Sequence, residues 1–361
     1  MQLSSTLTWL VDAASASPGA ERFLGELGMR LIKDDLLLAG GALTLAVPHP
    51  IIARRTWLWR AEDGVVIEAV GFASAGFGNA EPSGDAGRSW LAGLSGGAVH
   101  GDAVRPGPDG PVLNWIGPRQ FTEGEAGRLR EVARFAAAPL AALSARATLT
   151  AVLDAYLGRR SAARVLAGPL RRDGGETIRA VLLYADLRGF TALSETNPPA
   201  AMIAALGAWF DCIAGSVHAF GGEVLKFIGD GMLAIFPVVG ESPRDACDAA
   251  LRAVASAQAG MAHLDVTRRE QGQPPLAFGV ALHLGEILWG NVGAADRLDF
   301  TAIGSAVNLV SRLEGLCRPL GRTVLISGAA AAETTAKLIP LGTHALRGIA
   351  SPCAVYTVPE S

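Results

Sequence analysis

The order of the apolar segments in the second half of the chain constrains the fold more than any other feature. From residue 178 onward, a strand-like run is followed by a helical segment, two short runs joined at a turn, a second long helical segment and further runs. The predicted strands are residues 180–185, 223–227, 232–236, 278–284, 286–291 and 323–326, and the predicted helices are 198–220, 243–269 and 305–316. Strand, helix, hairpin, helix, strand is a split βαβ arrangement, which predicts an α+β sandwich with helices on one face of the sheet.

The first 140 residues are predicted to form a smaller α/β unit. A helical opening at residues 10–32 is followed by apolar runs that have the length of strands. These runs are residues 41–47, 56–60 and 65–72. A stretch rich in Gly, Pro, Ser and Asp at 74–117 is predicted as loop.

A helical linker is expected between the two halves. Thr122 and Glu125 have the spacing of a capping box, so a helix should begin there and end before Pro139. Helical spacing of leucines then continues over residues 140–166. Such a helix either pairs with its copy in a dimer or packs on its own chain. The predicted division is residues 1–140, a linker at 141–177 and a second domain at 178–361.

The composition argues against several classes of protein. The formal net charge is −3 and no basic block is present, so no nucleic-acid partner is expected. The four cysteines lie far apart and form no CxxC pair, which favours reduced, buried thiols over a zinc site or disulfides. The N-terminal residues lack the pattern of a signal peptide, and prolines interrupt the most apolar stretch, residues 36–52. We therefore predict a cytoplasmic protein without membrane insertion.

Two aspartates occupy positions that suit metal-dependent chemistry. Asp186 directly follows the apolar run 180–185, and Asp230 lies between Gly229 and Gly231 at the turn of the predicted hairpin. Taken singly, each is explained as a cap or turn residue. If the hairpin pairs with the first strand, both carboxylates project from one edge of the sheet, as two-metal phosphoryl chemistry requires.

A further pair lies on the helix predicted after Gly304. Asn308 and Arg312 are four residues apart and share one helix face. An amide and a guanidinium on one face could bind a phosphate group, and they could equally form a solvated surface. The pattern alone leaves both alternatives open.

Four segments together resemble the catalytic domain of class III adenylate and guanylate cyclases. They are residues 185–191, 222–231, 285–293 and 299–314, in the order and spacing of that family. The resemblance implies a ferredoxin-like, palm-type cyclase sandwich with a split βαβ core. It also implies conversion of a nucleoside triphosphate into a 3′,5′-cyclic nucleotide and pyrophosphate, with two Mg²⁺ or Mn²⁺ ions at a homodimer interface.

The resemblance assigns roles to the residues around the first aspartate. Asp186 and Asp230 would be the metal-binding carboxylates, and the Leu187 carbonyl would complete one metal site. Main-chain N–H groups would reach the triphosphate from a short segment that follows. That segment is Gly189, Phe190 and Thr191.

It also assigns the residues that bind the rest of the substrate. Lys226 and Thr301 occupy the positions that recognise the purine, where guanylate cyclases typically carry Glu and Cys. A cationic donor and a hydroxyl suit adenine N1 and its amino group, so ATP is the expected substrate. Asn308 and Arg312 would orient the ribose and stabilise the transition state, and Arg347 would hold the terminal phosphates.

Two other interpretations compete with an adenylate cyclase. One is a catalytically silent cyclase-like module that serves dimerisation or regulation. The other is a diguanylate cyclase, although the hairpin tip at 228–231 lacks that family's Gly-Gly-Asp/Glu-Glu-Phe motif. Residues 1–140 weakly resemble a GAF-type sensory domain, which would receive an unknown small-molecule or protein signal.

Overall fold

The strands of the chain form two separate sheets, and helices pack against both. The computed structural model describes residues 4–46, 52–72, 86–105, 107, 110–168, 175–294 and 296–359. The helices are α1 (Ser5–Asp12), α2 (Ala20–Lys33), α3 (Ala86–Ala92), α4 (Glu123–Phe135), α5 (Ala137–Leu157), α6 (Arg159–Ala167), α7 (Phe190–Thr196), α8 (Pro199–Ala219), α9 (Arg244–Glu270), α10 (Ser305–Glu314) and α11 (Gly328–Ala331). The strands are β1 (Gly40–Ala46), β2 (Ile52–Arg60), β3 (Val66–Phe72), β4 (His100–Ala103), β5 (Val112–Ile116), β6 (Gly175–Leu187), β7 (Glu223–Ile228), β8 (Gly231–Pro237), β9 (Phe278–Gly293), β10 (Leu298–Ile303), β11 (Val324–Ser327), β12 (Ile339–His344) and β13 (Cys353–Thr357). The chain divides into two compact units, Met1–Leu153 and Asp154–Ser361.

The N-terminal unit is built on a five-stranded antiparallel sheet in the order β3-β2-β1-β5-β4. One face packs against α1, α2 and α4 around the buried Phe23, Trp59 and Trp115. Leu91 of α3 packs against the other face. This is the mixed α and β content expected from the sequence, while the GAF-like interpretation stays a prediction.

Two local predictions for this unit are wrong. The helix expected at 10–32 is interrupted between α1 and α2, where Pro18 lacks an N–H and Gly19 is fully extended. The stretch 74–117 contains α3, β4 and β5, because flanking glycines and prolines disguise a five-residue strand that pairs with β1. The part of that stretch at 74–85, like residue 47 of the first predicted strand, lies outside the described residues.

The helical linker is also divided. The sequence pattern continues from 140 to 166, yet α5 ends at Leu157 and α6 begins at Arg159. Gly158 between them has φ +79, a left-handed value that glycine adopts without steric cost. The chain therefore changes direction at Gly158, and the boundary between the two units falls within α5.

The C-terminal unit confirms the predicted split βαβ core. Its sheet has the order β12-β13-β11-β9-β6-β8-β7, with β10 added beside β9. Strands β9, β6, β8 and β7 pair antiparallel with one another, whereas β11 pairs parallel with β9. The two strands predicted at 278–284 and 286–291 are one strand, because Gly285 continues the ladder opposite Ala180 instead of ending it.

Both faces of this sheet are covered, which differs from the expectation of helices on one face. Trp209 of α8 and Val254 of α9 lie in the core on the first face. Val310 and Leu313 of α10 lie in a second core on the opposite face, with Val165 of α6 packed at its margin. The sheet is therefore an inner layer, and residues at its ends become the accessible positions.

The packing of α2 on β2 supports a test of the N-terminal core. A Cβ at Gly28 would lie 2.5 Å from two carbon atoms of the buried Trp59 ring, whereas a Cβ at Gly25 would meet only Val66, at 3.8 Å. We expect Gly28→Ala to destabilise the unit by about 1–3 kcal/mol through overpacking. The matched control Gly25→Ala should stabilise it by about 0.5–1 kcal/mol through helix propensity.

Amide hydrogen exchange in α2 of the full chain measures both effects as opening free energies. Equal protection in the two variants would show that α2 does not contact Trp59 as described.

Candidate active site

Asp186 and Asp230 lie together at one end of the C-terminal sheet. Asp186 is the penultimate residue of β6 and pairs with Gly231, the first residue of β8. Gly231 also pairs with Ile228 across the β7–β8 hairpin, so Asp230 lies at the turn beside Asp186. The Trp209 indole N–H donates to the Asp230 carbonyl at 3.2 Å and ties the turn to α8. The juxtaposition expected from the sequence is present.

The absence of a side chain at Gly231 leaves room for this arrangement. A Cβ at this position would lie 2.9 Å from the Asp186 Oδ1 and 2.9 Å from the Tyr184 hydroxyl. From the sequence, Gly231 was expected to be needed for the turn. Gly231 also has a steric role, because the Asp186 carboxylate occupies the space that a side chain at position 231 would need.

Burial and the neighbouring negative charge of Asp230 destabilise the ionised form of Asp186. Burial raises its pKa, the negative charge of Asp230 raises it further, and a hydrogen bond from the Leu187 N–H lowers it, with a net value of about 6. Two carboxylates that repel each other in a partly desolvated site are a donor set suited to a hard divalent cation. Among the described residues, no cluster of three or more His, Cys, Asp or Glu side chains has metal-binding geometry, and metal binding by this pair stays a prediction.

Glu314 is a third carboxyl group at this end of the sheet, and sequence reasoning missed it. It is the last residue of α10, and a Cβ at Gly279 would collide with its carboxylate. Burial raises the pKa of Glu314, as does the charge of Asp186, while Arg188 lowers it, with a net value of about 7. The only signal in the sequence is its position two residues after Arg312, which does not indicate a neighbour 128 residues earlier.

Lys226 lies on β7 and Thr301 on β10, two strands that approach each other, and their role in binding a purine stays a prediction. Strand β10 approaches β7 so that the Lys226 ammonium donates to the Asp299 carboxylate at 2.7 Å. Thr301 is two residues further along β10 and therefore on the same strand face as Asp299. Thr301 is 6% exposed, and its hydroxyl has no hydrogen-bond partner among the described residues. Asp299 is a contact of Lys226 that the sequence did not reveal.

Helix α10 carries its polar pair on the outer side. Asn308 and Arg312 are exposed, whereas Ala306, Val310 and Leu313 are buried against the sheet. The expected separation of polar and apolar faces is therefore present. In a single chain, these two side chains face solvent.

Arg347 lies far from the aspartates within one chain. It is in the turn between β12 and β13, closed by the hydrogen bond from Ile349 N–H to the Leu346 carbonyl at 3.0 Å. Following the strand directions from β6 through β9, β11 and β13 places this turn at the opposite end of the sheet from Asp186. Any contact of Arg347 with substrate held at Asp186 therefore requires a second chain.

The predicted triphosphate segment follows β6 directly. Gly189 has φ +73 and precedes α7, so the first N–H groups of that helix have no intrahelical partner. Phe190 is partly buried against the core under the sheet, and Leu187 is buried. The Thr191 side chain lies outside the described residues. The roles of Leu187, Gly189 and Phe190 stay predictions.

Comparison with known proteins adds an independent observation. Residues 176–339 match the family model of the adenylate and guanylate cyclase catalytic domain. The C-terminal domain belongs to the class III cyclase family. This confirms the resemblance inferred from the four motifs, and it confirms the palm-type α+β fold class for this domain.

Relatives of this cyclase domain are found among bacterial proteins. It is 32% identical over 178 residues to adenylate cyclase 1 of Rhizobium meliloti, covering 49% of this chain and 27% of that protein. It is 33% identical over 155 residues to an adenylate cyclase of Anabaena cylindrica, covering 42% of this chain and 30% of that protein. The crystal structure of the adenylyl cyclase CyaB from P. aeruginosa matches 52% of this chain and 97% of that chain, with 28% identity and a TM-score of 0.45. The chain thus spans about a third or less of the length of the two relatives.

The raised pKa values predict how the stability of the metal-free protein changes with pH. Asp186 and Glu314 bind protons more tightly when folded, with pKa values of about 6 and about 7 against ordinary values of 3.8 and 4.5. The free energy of unfolding should therefore fall as pH rises from the ordinary values through the folded values. Asp186→Asn and Glu314→Gln should each remove part of this slope. Since both groups are partly solvated, we expect about 1 kcal/mol of stabilisation at neutral pH, roughly 2–4 °C in melting temperature.

Asp248 provides a control of opposite sign. Burial raises its pKa, but hydrogen bonds from Thr334 and Thr335 outweigh burial and lower it overall. Asp248→Asn should therefore destabilise the domain at neutral pH. Thermal denaturation in chelator at about pH 5 and about pH 7.5 measures all three variants. A melting temperature that rises with pH in the unmodified protein would contradict the assignment.

Proposed function

We propose that the protein is an adenylate cyclase that converts ATP to 3′,5′-cyclic AMP and pyrophosphate. The observation that carries this proposal is the Asp186–Asp230 pair at the sheet end, combined with Lys226 and Thr301 on neighbouring strands. The curated relatives named as adenylate cyclases support the choice of reaction.

Each group of residues has its own role in the proposed reaction. Asp186 and Asp230 hold two Mg²⁺ or Mn²⁺ ions, with the Leu187 carbonyl as a further ligand. When bound, such ions lower the pKa of the ribose 3′-hydroxyl and neutralise phosphate charge. The N–H groups at Gly189, Phe190 and Thr191 cradle the triphosphate. Asn308 orients the ribose, and Arg312 offsets the negative charge that grows on the α-phosphoryl oxygens.

The active site is shared by two chains of a homodimer. Asn308 and Arg312 face solvent in one chain, and Arg347 lies at the opposite end of the sheet from Asp186. A two-fold dimer would bring these residues of one chain to the carboxylates of the other, and it would contain two such sites. The exposed Phe227 and Ile228 beside the hairpin provide apolar surface for that interface.

ATP is favoured over GTP because of the groups that face the base. The Lys226 ammonium can donate to adenine N1, and the unpartnered Thr301 hydroxyl can accept from the adenine amino group. Asp299 holds the ammonium in the substrate-free protein and would be a second acceptor for that amino group. A guanylate cyclase needs an acceptor for guanine N1–H, and neither Lys226 nor Thr301 supplies the carboxylate typical of that family.

A cytoplasmic location and an input to the N-terminal unit complete the proposal. Two described helices, α5 and α8, have the length and apolar composition of a membrane span, but Trp209 and Ile213 of α8 lie in the core under the sheet. The N-terminal unit would receive a small-molecule or protein signal. A catalytically silent module is the alternative, and the presence of Asp186, Asp230, Asn308 and Arg312 argues against it.

Subunit mixing tests the reaction and the shared site together. Asp186→Asn and Asp230→Asn should each abolish cyclic AMP production without unfolding, since an amide binds a divalent cation poorly. Arg312→Ala should also be inactive alone. In an equal mixture of Asp186→Asn and Arg312→Ala, about half the dimers are hybrids with one intact site, so roughly a quarter of the activity should return.

The control mixes Asp186→Asn with Asp230→Asn, which both damage the same half of the site and should restore nothing. No recovery in the first mixture, despite demonstrated subunit exchange, would mean that the site lies within one chain or that these roles are wrong.

The purine assignment has its own test. Lys226→Glu with Thr301→Cys should lower kcat/KM for ATP and raise it for GTP, because the new pair offers the acceptor that guanine requires. We expect the ATP-to-GTP ratio to fall by about tenfold or more. An unchanged ratio in a folded, active double variant would show that other residues recognise the base.

A further inference from the structure

A buried glutamate at the start of β7 has no role in the reaction as described. Glu223 is 4% exposed, and its Oε1 accepts hydrogen bonds from the Ser161 backbone N–H at 2.9 Å and from the Ser161 hydroxyl at 2.8 Å. Its Oε2 has no hydrogen-bond partner among the described residues. Burying a half-satisfied carboxylate is costly, so the core alone does not explain this residue.

The glutamate fixes the beginning of α6. Ser161 is in the first turn of that helix, where N–H groups have no intrahelical partner and a negative charge is favourable. A Cβ at the preceding Gly158 would lie 3.3 Å from the Glu223 Oε1, so the turn into α6 lies directly against this carboxylate. Glu223 therefore attaches the end of the linker to β7.

Lys226 is on the same strand as Glu223, and a β-bulge lies between the two residues. The register of β7 against β8 shifts between Val224 and Lys226, and the intervening Leu225 is buried. Such a bulge bends a strand and changes the direction of the side chains after it. The direction of Lys226 toward β10 therefore depends on how the start of β7 is held.

We propose that Glu223 is a positioning residue for substrate: by binding the first turn of α6, it fixes the bulge in β7 that aims Lys226 at the purine. The proposal rests on the function proposed above for Lys226. It makes α6 a structural support of nucleotide recognition.

Replacement of Glu223 in the chain of 361 residues tests the proposal. Glu223→Ala should raise KM for ATP about tenfold, the scale of a lost charged hydrogen bond, with kcat changed less than about twofold. The preference for ATP over GTP should fall in parallel.

Glu223→Gln keeps an acceptor oxygen, so its KM for ATP should stay within about twofold of that of the unmodified protein. Ser161→Ala removes one of the two donors and should raise KM by about threefold, which provides a milder variant if Glu223→Ala does not fold.

Glu176→Gln is the matched control: Glu176 is on β6, and its partner Arg164 is on the same helix as Ser161. Arg164 of α6 donates to Glu176 at 2.5 Å and stacks on Trp289, so this variant weakens the other polar anchor of α6 without touching β7. We expect its KM to be unchanged. Trypsin cleavage at the exposed Arg159 and Arg160 should accelerate in Glu223→Ala and not in Glu223→Gln or Glu176→Gln.

Equilibrium binding of a fluorescent ATP analogue separates the two proposals. Weaker binding in Glu223→Ala supports the positioning role even if the unmodified protein makes no cyclic AMP, a result that would overturn only the proposed activity. Unchanged KM and analogue affinity in a folded Glu223→Ala protein would overturn the positioning role. A lower kcat with unchanged KM would also overturn it, since a purely structural defect reduces the active fraction.

Discussion

The antiparallel pairing of Asp186 with Gly231 is the contact on which the rest of the C-terminal site depends. It fixes where β6 ends relative to the β7–β8 hairpin, and so it brings Asp230 beside Asp186. A one-residue slip would turn Asp186 to the other face of the sheet. The register is held by the buried side chains of β6, which pack on both faces of the sheet, and by the Trp209 hydrogen bond to the turn.

Two cores on opposite faces of one sheet explain how this pairing can hold repelling carboxylates. The cores bury β6 on both sides, so the strand cannot relax away from the Asp230 charge. Burial, and after it the repulsion between carboxylates, raises the pKa of Asp186 and of Glu314. A bound cation would remove the repulsion, so the proposed affinity for divalent metal would be a consequence of the fold as much as of the two side chains.

Sequence reasoning found features that depend on local pattern and missed those that depend on distant contacts. The succession of strand, helix, hairpin, helix and strand, and the Thr122 capping box, follow from periodicity and turn chemistry, and both are present. The meeting of Asp186 with Asp230 was expected if the hairpin paired with the first strand, which it does. Strands β10, β12 and β13 were not predicted. The break at Gly158 was missed because apolar residues at helical spacing continue beyond it, to Val165 and Leu166. Glu314 and Asp299 were missed because each acquires its partner only when helix α10 and strand β10 fold back onto earlier strands.

Buried polar atoms without a hydrogen-bond partner cost stability in both units of the chain. Four described side chains in the C-terminal unit have such atoms: Arg188, Glu223, Trp289 and Thr301. Arg188 lies beside Glu314, Thr301 is proposed to contact the base, and Glu223 supports the strand of Lys226. The N-terminal unit also has such atoms, on Thr6, Trp59, Arg60, Asn114 and Trp115, so an unpartnered polar atom does not by itself mark a ligand site. Thr301 differs from the others because it belongs to the proposed nucleotide site, where the amino group of adenine would supply the partner that its buried hydroxyl lacks among the described residues.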